Sequence, residues 1–134
     1  MLKVLLLSRY DQLAASARYR FYQYVPYLRQ QGVTVTAAPL LDDQYVERLY
    51  GHGETLTSAQ LAAAYAARLK ALWQAADYDL VWLQMEALPW LPSWLELPLL
   101  RRRTPYVVDY DDAWFHTYAD QHPSWLIRRL LRQD

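Results

Sequence analysis

Three carboxylates follow closely on an apolar segment of the chain. Asp109, Asp111 and Asp112 come directly after residues 106–108, which have the composition of a buried strand. Such acids repel one another and lose hydration unless they meet a cation, a hydroxyl group or a helix N-terminus. Ligands bind at the carboxyl ends of the strands in an open parallel sheet. We therefore expect a ligand site here, although at least one of the three acids is expected to serve only as a cap or turn former.

A second polar group ends the apolar segment at residues 80–85. Alternation places Trp82, Gln84 and Glu86 on one face of a strand, with Glu86 at its carboxyl end. A buried glutamate needs a partner, and a glutamine side chain can orient a hydroxyl group or a phosphate. A purely structural hydrogen bond is the equal alternative.

Two arginines follow the first apolar segment. With Ser16 as the N-cap of a helix that continues to about residue 31, Arg18 and Arg20 lie near its first turn. Cations there oppose the helix dipole, so one of them is expected to contact an anionic ligand or the acidic strand end. The alternative is a solvated helix face. The loop before Ser16 contains no glycine, which argues against a dinucleotide fingerprint or a P-loop.

Composition limits the class of protein. The chain has 134 residues, of which 54% are hydrophobic and 21% charged, so it is expected to form one compact domain over residues 1–134. The formal charge is zero, which argues against a nucleic-acid partner. Cysteine is absent, which excludes disulfides and thiolate metal sites and fits the cytoplasm.

Metal and membrane sites have weaker signals. His116 and His122 match no standard zinc spacing, so neither a metal nor a cofactor is expected. No apolar run reaches the roughly 20 residues that span a bilayer. Arginines and tryptophans suggest instead a peripheral membrane or anionic-ligand surface, the alternative being a solvated face with its tryptophans in the core. These residues are Arg101, Arg102, Arg103, Arg128, Arg129, Arg132, Trp90, Trp94 and Trp125.

The order of segments predicts an α/β fold. Strands are predicted at residues 4–8, 33–38, 80–85 and 106–110, and helices at 16–31, 43–50, within 90–103 and from Pro123 onward. A capping box at Thr57 and Gln60 begins a further helix. Its apolar stripe is predicted to be Leu61, Tyr65, Leu69, Leu72 and Ala76. Right-handed crossovers then favour a Rossmann-like open parallel sheet of order 2-1-3-4, with helices on both faces.

Several of these segments resemble a known family. Residues 3–9, 16–22, 80–86 and 105–113, with His116, are similar to the N-terminal half of family 4 glycosyltransferases, which have the GT-B fold. The resemblance implies an acceptor-side domain that faces a C-terminal donor domain, with metal-free catalysis between the two. That donor domain is absent from these 134 residues, so the resemblance implies no turnover by this chain alone.

The resemblance also implies roles for individual residues. Asp111 would be the catalytic residue that orients the acceptor hydroxyl, with Glu86 and Asp109 supporting it. The remaining substrate-binding candidates are Arg9, Tyr10, Ser16, Arg18, Arg20, Gln84, Asp112 and His116. The implied partners are a nucleotide-sugar donor and an acceptor glycan, lipid or small molecule.

The chain departs from the family at two places. Residues 13–15 replace a glycine-rich turn, and Asp111 stands where many relatives have histidine. A non-catalytic flavodoxin-like binding or regulatory domain is the alternative function, and a module that recruits a partner chain is a third. Receiver domains of flavodoxin-like topology carry acids after the first strand, where this chain has Ser8, Arg9 and Tyr10.

Overall fold

A computed structural model describes residues 1–53, 56–100 and 104–110. Its centre is a parallel sheet of four strands in the order β2-β1-β3-β4. The strands are β1 (Lys3–Leu7), β2 (Thr34–Ala37), β3 (Leu80–Gln84) and β4 (Tyr106–Asp109). Leu5 is in register with Thr36 of β2 and Val81 of β3, and Gln84 of β3 is in register with Asp109 of β4. The predicted α/β class and strand order are therefore confirmed.

Helices cover both faces of this sheet. They are α1 (Ala15–Arg20), α2 (Val25–Gln30), α3 (Asp43–His52), α4 (Ser58–Trp73) and α5 (Ser93–Leu100), with 3₁₀ turns at Tyr22–Tyr24 and Gln74–Asp77. Side chains of β1 alternate between two apolar clusters. Leu6 packs with Phe21 on the face near α1, whereas Leu5 packs with Leu72 and Leu100 on the face near α4 and α5. Each such burial contributes about 1.5–3 kcal/mol, so β1 is held from both sides.

The single helix predicted from Ser16 to about residue 31 is wrong. The structure has two short helices joined by a 3₁₀ turn, because Pro26 lacks the N–H that a continuous helix would donate to the carbonyl of Tyr22. Ser16 is not the cap either, since α1 begins one residue earlier and Ala14 occupies the N-cap position. Arg18 and Arg20 therefore lie in the last turn of α1, where the helix dipole favours cations.

The predicted stripe of α4 is correct at Leu61, Tyr65 and Leu72 but wrong at Leu69 and Ala76, which are exposed while the residue before each is buried. Leu69 is 46% exposed, whereas Arg68 is 2% exposed and occupies the buried face together with Leu72. A spacing of four, three and four residues links Leu61, Tyr65, Arg68 and Leu72 along one side of the helix. The helix begins as predicted, because Thr57 and Gln60 form the reciprocal capping box.

The strand predicted to extend to Met85 ends one residue earlier. Met85 has a φ of 57°, in the left-handed region that L-residues other than asparagine and aspartate seldom adopt. The alternation that placed Glu86 on the same face as Gln84 therefore does not apply, because the backbone turns between them. Among the described helices, none is both long and apolar enough to cross a membrane.

Candidate functional site

The carboxyl ends of three neighbouring strands form one edge of the sheet. Strands β1, β3 and β4 are adjacent and parallel, so the residues that follow Leu7, Gln84 and Asp109 meet there. We call this region the carboxyl edge. Gln84 is buried, and its Oε1 accepts a hydrogen bond of 3.0 Å from the backbone N–H of Arg9. This glutamine therefore fixes the exit of β1, as in the structural alternative, and its oxygen is already engaged.

Aromatic rings surround the guanidinium of Arg9. Its carbon lies 4.4 Å from the centre of the Trp90 ring and 5.8 Å from that of Tyr10. Tyr10 in turn stacks on Tyr45 of α3, with ring centres 6.4 Å apart. Such cation–π contacts contribute about 0.5–2 kcal/mol each. Trp90 is 41% exposed, so part of this aromatic side chain is accessible to solvent beside a positive charge.

Arg20 and Asp109 form an ion pair across the same edge. Nε of Arg20 donates to Oδ2 of Asp109 at 3.2 Å, and Nη2 contacts Oδ1. Nη2 also donates to the carbonyl of Tyr110 at 3.3 Å. The side chains are 31% and 26% exposed. Arg20 thus meets the acidic strand end, which is one of the two contacts expected from the sequence, and the charge of Asp109 is neutralised.

A strained turn follows β3 and carries Glu86. Trp90 has a φ of 66°, so two non-glycine residues of this turn, Met85 and Trp90, are left-handed. The carboxylate of Glu96, on α5, accepts hydrogen bonds from the N–H groups of Ala87 (2.9 Å) and Leu88 (3.0 Å). Left-handed non-glycine residues cost about 1–3 kcal/mol each and persist where their surroundings hold them.

The sequence analysis missed Arg68 of α4, a buried side chain that donates a hydrogen bond to the backbone of the carboxyl edge. Its Nη2 donates to the carbonyl of Ser8, directly after β1. Ser8 Oγ lies 3.1 Å from the hydroxyl of Tyr22, and the hydroxyl of Tyr65 donates to the carbonyl of Pro89. The available signal was the spacing of α4, which places an arginine among apolar neighbours.

Burial and neighbouring charges shift the pKa values of the polar groups near this edge. Burial raises the pKa of Tyr22 to about 12, despite a hydrogen bond with Ser8 that lowers it, and Asp11 adds to the rise. Burial also raises the pKa of Tyr110, to which the charges of Glu96 and Glu86 contribute. The pKa of Glu96 is raised by burial and lowered in part by its two backbone hydrogen bonds and by Arg68.

Other sequence-predicted residues are not part of this arrangement. Ser16 and Arg18 are exposed, with Arg18 lying 5.2 Å from the centre of the Tyr19 ring. No hydrogen bond from their side chains to the carboxyl edge occurs in the described part of the chain. Asp111, Asp112 and His116 lie outside the described residues, as do Arg101–Arg103, His122, Trp125, Arg128, Arg129, Arg132 and the predicted C-terminal helix.

Two further features concern ligands. Within residues 1–53, 56–100 and 104–110, no three His, Cys, Asp or Glu side chains are grouped as metal ligands. An apolar cavity of about 480 Å³ lies away from the carboxyl edge, lined by Leu72, Val81, Leu100 and Thr104 among others. Its position near the start of β3 and β4 separates it from Glu86, Asp109 and Arg9.

The carboxyl edge thus combines cationic, anionic and aromatic groups. Its described groups can donate hydrogen bonds to an anion, accept them from hydroxyl groups and stack against a flat or ring-shaped ligand. No protein-family model, curated protein or solved structure shows a significant match to this chain. Any function must therefore be argued from the site itself.

Proposed function

We propose that this chain is the acceptor-side domain of a glycosyltransferase of the GT-B type. In this proposal the carboxyl edge binds an acceptor, and a separate donor domain supplies the nucleotide sugar. The observation that supports it most is that Arg9 contacts the exposed Trp90 at the end of a parallel sheet, where the charge of Glu86 acts on the same phenol, Tyr65, as that of Arg9. Sugars present hydroxyl groups to carboxylates and apolar C–H faces to aromatic rings, so this combination suits them.

The residues would have separate roles. Trp90 would stack against the acceptor ring, Glu86 would accept hydrogen bonds from its hydroxyl groups, and Asp111 would orient the attacking hydroxyl. Asp109 would support Asp111 indirectly, because its own charge is occupied by Arg20. A binding surface held by hydrogen bonds and packing keeps such groups in place before the ligand arrives.

The proposed reaction is transfer with release of a nucleoside diphosphate. The bond between the sugar carbon and the diphosphate oxygen breaks, and the acceptor oxygen forms the new bond to that carbon. The leaving diphosphate oxygen accepts the proton of the acceptor hydroxyl, so the protein does not have to provide a base. The described residues would position the acceptor for this step, which replaces a chance encounter by a reaction within the complex.

The alternative is a non-catalytic domain of flavodoxin-like topology. A receiver domain needs carboxylates that hold magnesium after the first strand. This chain instead has Ser8 and Arg9 there, and the carboxylate of Asp109 binds Arg20. Because the guanidinium of Arg20 already lies beside this carboxylate, binding of a magnesium ion there is disfavoured. We therefore prefer the transferase hypothesis.

We also propose that the domain contacts a membrane surface peripherally. Trp90, Leu91, Trp94 and Leu95 are exposed apolar side chains in and after the turn that follows β3. Tryptophan favours the boundary between lipid and water, which suits a lipid-linked acceptor. Co-sedimentation with anionic vesicles tests this. Binding that the Trp94→Ser variant weakens supports the contact, and absence of binding by the unmodified chain contradicts it.

Saturation-transfer NMR with a panel of mono- and disaccharides tests the acceptor proposal. We expect weak binding in the millimolar range, and Trp90→Ala should weaken it about fivefold or more, as for an aromatic anchor. Trp73→Ala is the matched control, because Trp73 is 74% exposed at the end of α4 and lies toward the opposite edge of the sheet. Equal loss in both variants, or no loss in either, would contradict the proposal.

A further inference from the structure

Arg68, on the buried face of α4, has hydrogen-bond donors that find no acceptor among the described residues. Nε and Nη1 of Arg68 are out of contact with solvent and have no hydrogen-bond partner in that part of the chain. Its Nη2 donates to the carbonyl of Ser8. Burial lowers the pKa of Arg68 to about 10, so the guanidinium is charged at neutral pH. Leaving charged donors unsatisfied costs more than leaving neutral ones, and such groups call for a ligand or ion.

The nearest charges do not satisfy this cation. Glu96 lies close enough to influence the pKa of Arg68, but its Oε2 is engaged by Ala87 and Leu88. The phenols of Tyr22 and Tyr65, which also influence it, are neutral at physiological pH because burial raises the pKa of each. Arg68 is therefore a charged group inside the protein without a hydrogen-bonded counter-charge in the described chain.

A second guanidinium lies near the first. Arg9 and Arg68 lower the pKa of Tyr65 and Glu86 raises it, which places two positive charges and one negative charge around one phenol. Both arginines also belong to the exit of β1, since Arg68 binds the carbonyl of Ser8 and Arg9 is the next residue. These three charged groups carry a net positive charge, which favours an anion beside the arginines.

We propose that Arg68 and Arg9 form a binding subsite for a phosphate group. Phosphate suits these donors because it offers several charged oxygens, and guanidinium groups bind it with strong charge-assisted hydrogen bonds. The subsite lies directly after β1, on the same edge as Trp90 and Glu86. A phosphate bound there would belong to the substrate whose ring lies on Trp90.

The subsite deepens the proposed function by naming a phosphate-bearing substrate. It rests on that function only for the identity of the ligand, because phosphate binding itself can be measured without sugar transfer. The donors are closed to solvent in this structure, so binding is expected to include movement of residues 85–91, the turn next to Arg9. The amides of Ala87 and Leu88, which Glu96 now binds, would report that movement.

Thermal unfolding of the full chain tests the subsite with inorganic phosphate as the probe. A ligand that binds only the folded state raises Tm as its concentration increases. We expect phosphate at low millimolar concentration to raise Tm with a saturating dependence, whereas sodium chloride at equal ionic strength should not, because stabilisation by salt exclusion requires much higher concentrations and does not saturate. Equal effects of the two salts on the unmodified chain would overturn the proposal, and this comparison requires no variant.

Substitutions then locate the effect. Arg68→Met should weaken phosphate binding about tenfold or more, which is the effect of losing a charged hydrogen-bond donor. In chloride alone it should not lower Tm, because a methionine needs no counter-charge at a buried position. Lys70→Met is the matched control, since it removes an exposed cation from the same helix and should leave the phosphate effect intact.

The remaining outcomes are also decisive. An unchanged phosphate effect in Arg68→Met would overturn the subsite. If that variant does not fold, Arg9→Met should reduce the effect of phosphate, and full retention there would equally overturn it. Titration with a hexose 1-phosphate and with uridine diphosphate distinguishes the two sources of the phosphate. Tighter binding of the hexose 1-phosphate indicates a phosphate of the acceptor, and tighter binding of uridine diphosphate indicates a phosphate of the donor. Sugar binding that fails while phosphate binding succeeds would contradict the proposed function alone.

Discussion

At the level of single residues, the carboxyl edge is a set of paired and oriented groups. Arg20 neutralises Asp109, Gln84 holds the backbone of Arg9, and Glu96 holds the turn that carries Glu86. These partners consume the obvious hydrogen-bonding capacity of three predicted ligand-binding side chains. The groups that we propose to meet a ligand are thus fewer than the sequence suggested: they are Trp90, Glu86, Arg9 and Arg68.

The ion pair between Arg20 and Asp109 should contribute measurably to stability. We expect a coupling free energy of about 1 kcal/mol in a double-mutant cycle of Arg20→Met and Asp109→Asn, because the pair is partly shielded and joined at two points. Urea unfolding gives the four free energies, and added salt should reduce the coupling. A coupling free energy of zero within error would show that the ion pair does not contribute to stability.

Glu96 should make stability depend on pH in a defined direction. Burial raises the pKa of the carboxyl group in the folded chain above its unfolded value of about 4.3. The folded state therefore binds the proton more tightly, so this contribution to stability is complete below the unfolded pKa. It is lost as the pH rises through the folded pKa.

The variant Glu96→Gln removes this titration and retains an oxygen that can accept from Ala87 and Leu88. We expect the free energy of unfolding of the unmodified chain, minus that of the variant, to fall as the pH rises from about 4 and then to become constant. Urea unfolding at a series of pH values measures it. A difference that increases with pH would mean that the charged carboxylate is favoured in the folded state.

At the level of elements, helix starts depend on local signals that can be misread. Thr57 and Gln60 form a capping box, whereas Ser16 lies inside α1 and caps nothing. In the sequence both residues can serve as an N-cap, but Thr57 has a glutamine three residues later, whereas Ser16 has Tyr19 there. The difference arises because the chain before α1 turns at residues 11–14, where Asp11 and Ala14 are hydrogen-bonded to one another.

Alanine substitutions should separate the two positions. Thr57→Ala should lower the free energy of unfolding by about 1 kcal/mol, the usual effect of losing an N-cap. Ser16→Ala should leave it unchanged or raise it by a few tenths of a kcal/mol, since alanine is the better helix former. Denaturant midpoints at constant slope provide the comparison. Similar losses in both variants would contradict the assignment of the caps.

Strands and strand order could be predicted because they follow from strong, short-range patterns. The aliphatic segment at β1 and the alternation at β2 have the periods of strands, and the handedness of crossovers then leaves few topologies. The break at Pro26 was also visible in the sequence, but the helical spacing of Phe21, Val25 and Leu28 continued through it. The burial of Arg68 was harder to predict, because arginine on a helix is usually exposed.

At the level of the whole molecule, the sheet brings distant residues to one edge. Arg20 and Asp109 are 89 positions apart, and Arg9 and Gln84 are 75 apart. The sequence could predict that such residues meet, because the order of the strands places β1, β3 and β4 together. It predicted that Arg18 or Arg20 contacts the acidic strand end or an anionic ligand, but not which arginine binds which acid, and not the hydrogen bond between Gln84 and the backbone of Arg9, because both depend on side-chain reach.

The central claim is that the carboxyl edge binds the acceptor, and mapping the ligand footprint on the full chain tests it most directly. Backbone amide shifts are recorded during titration with a saccharide that binds. The account predicts that the changes concentrate at residues 8–10, 84–91 and 109–110. Changes centred instead on the apolar cavity around Leu72, Val81 and Thr104, with none at the carboxyl edge, would contradict it.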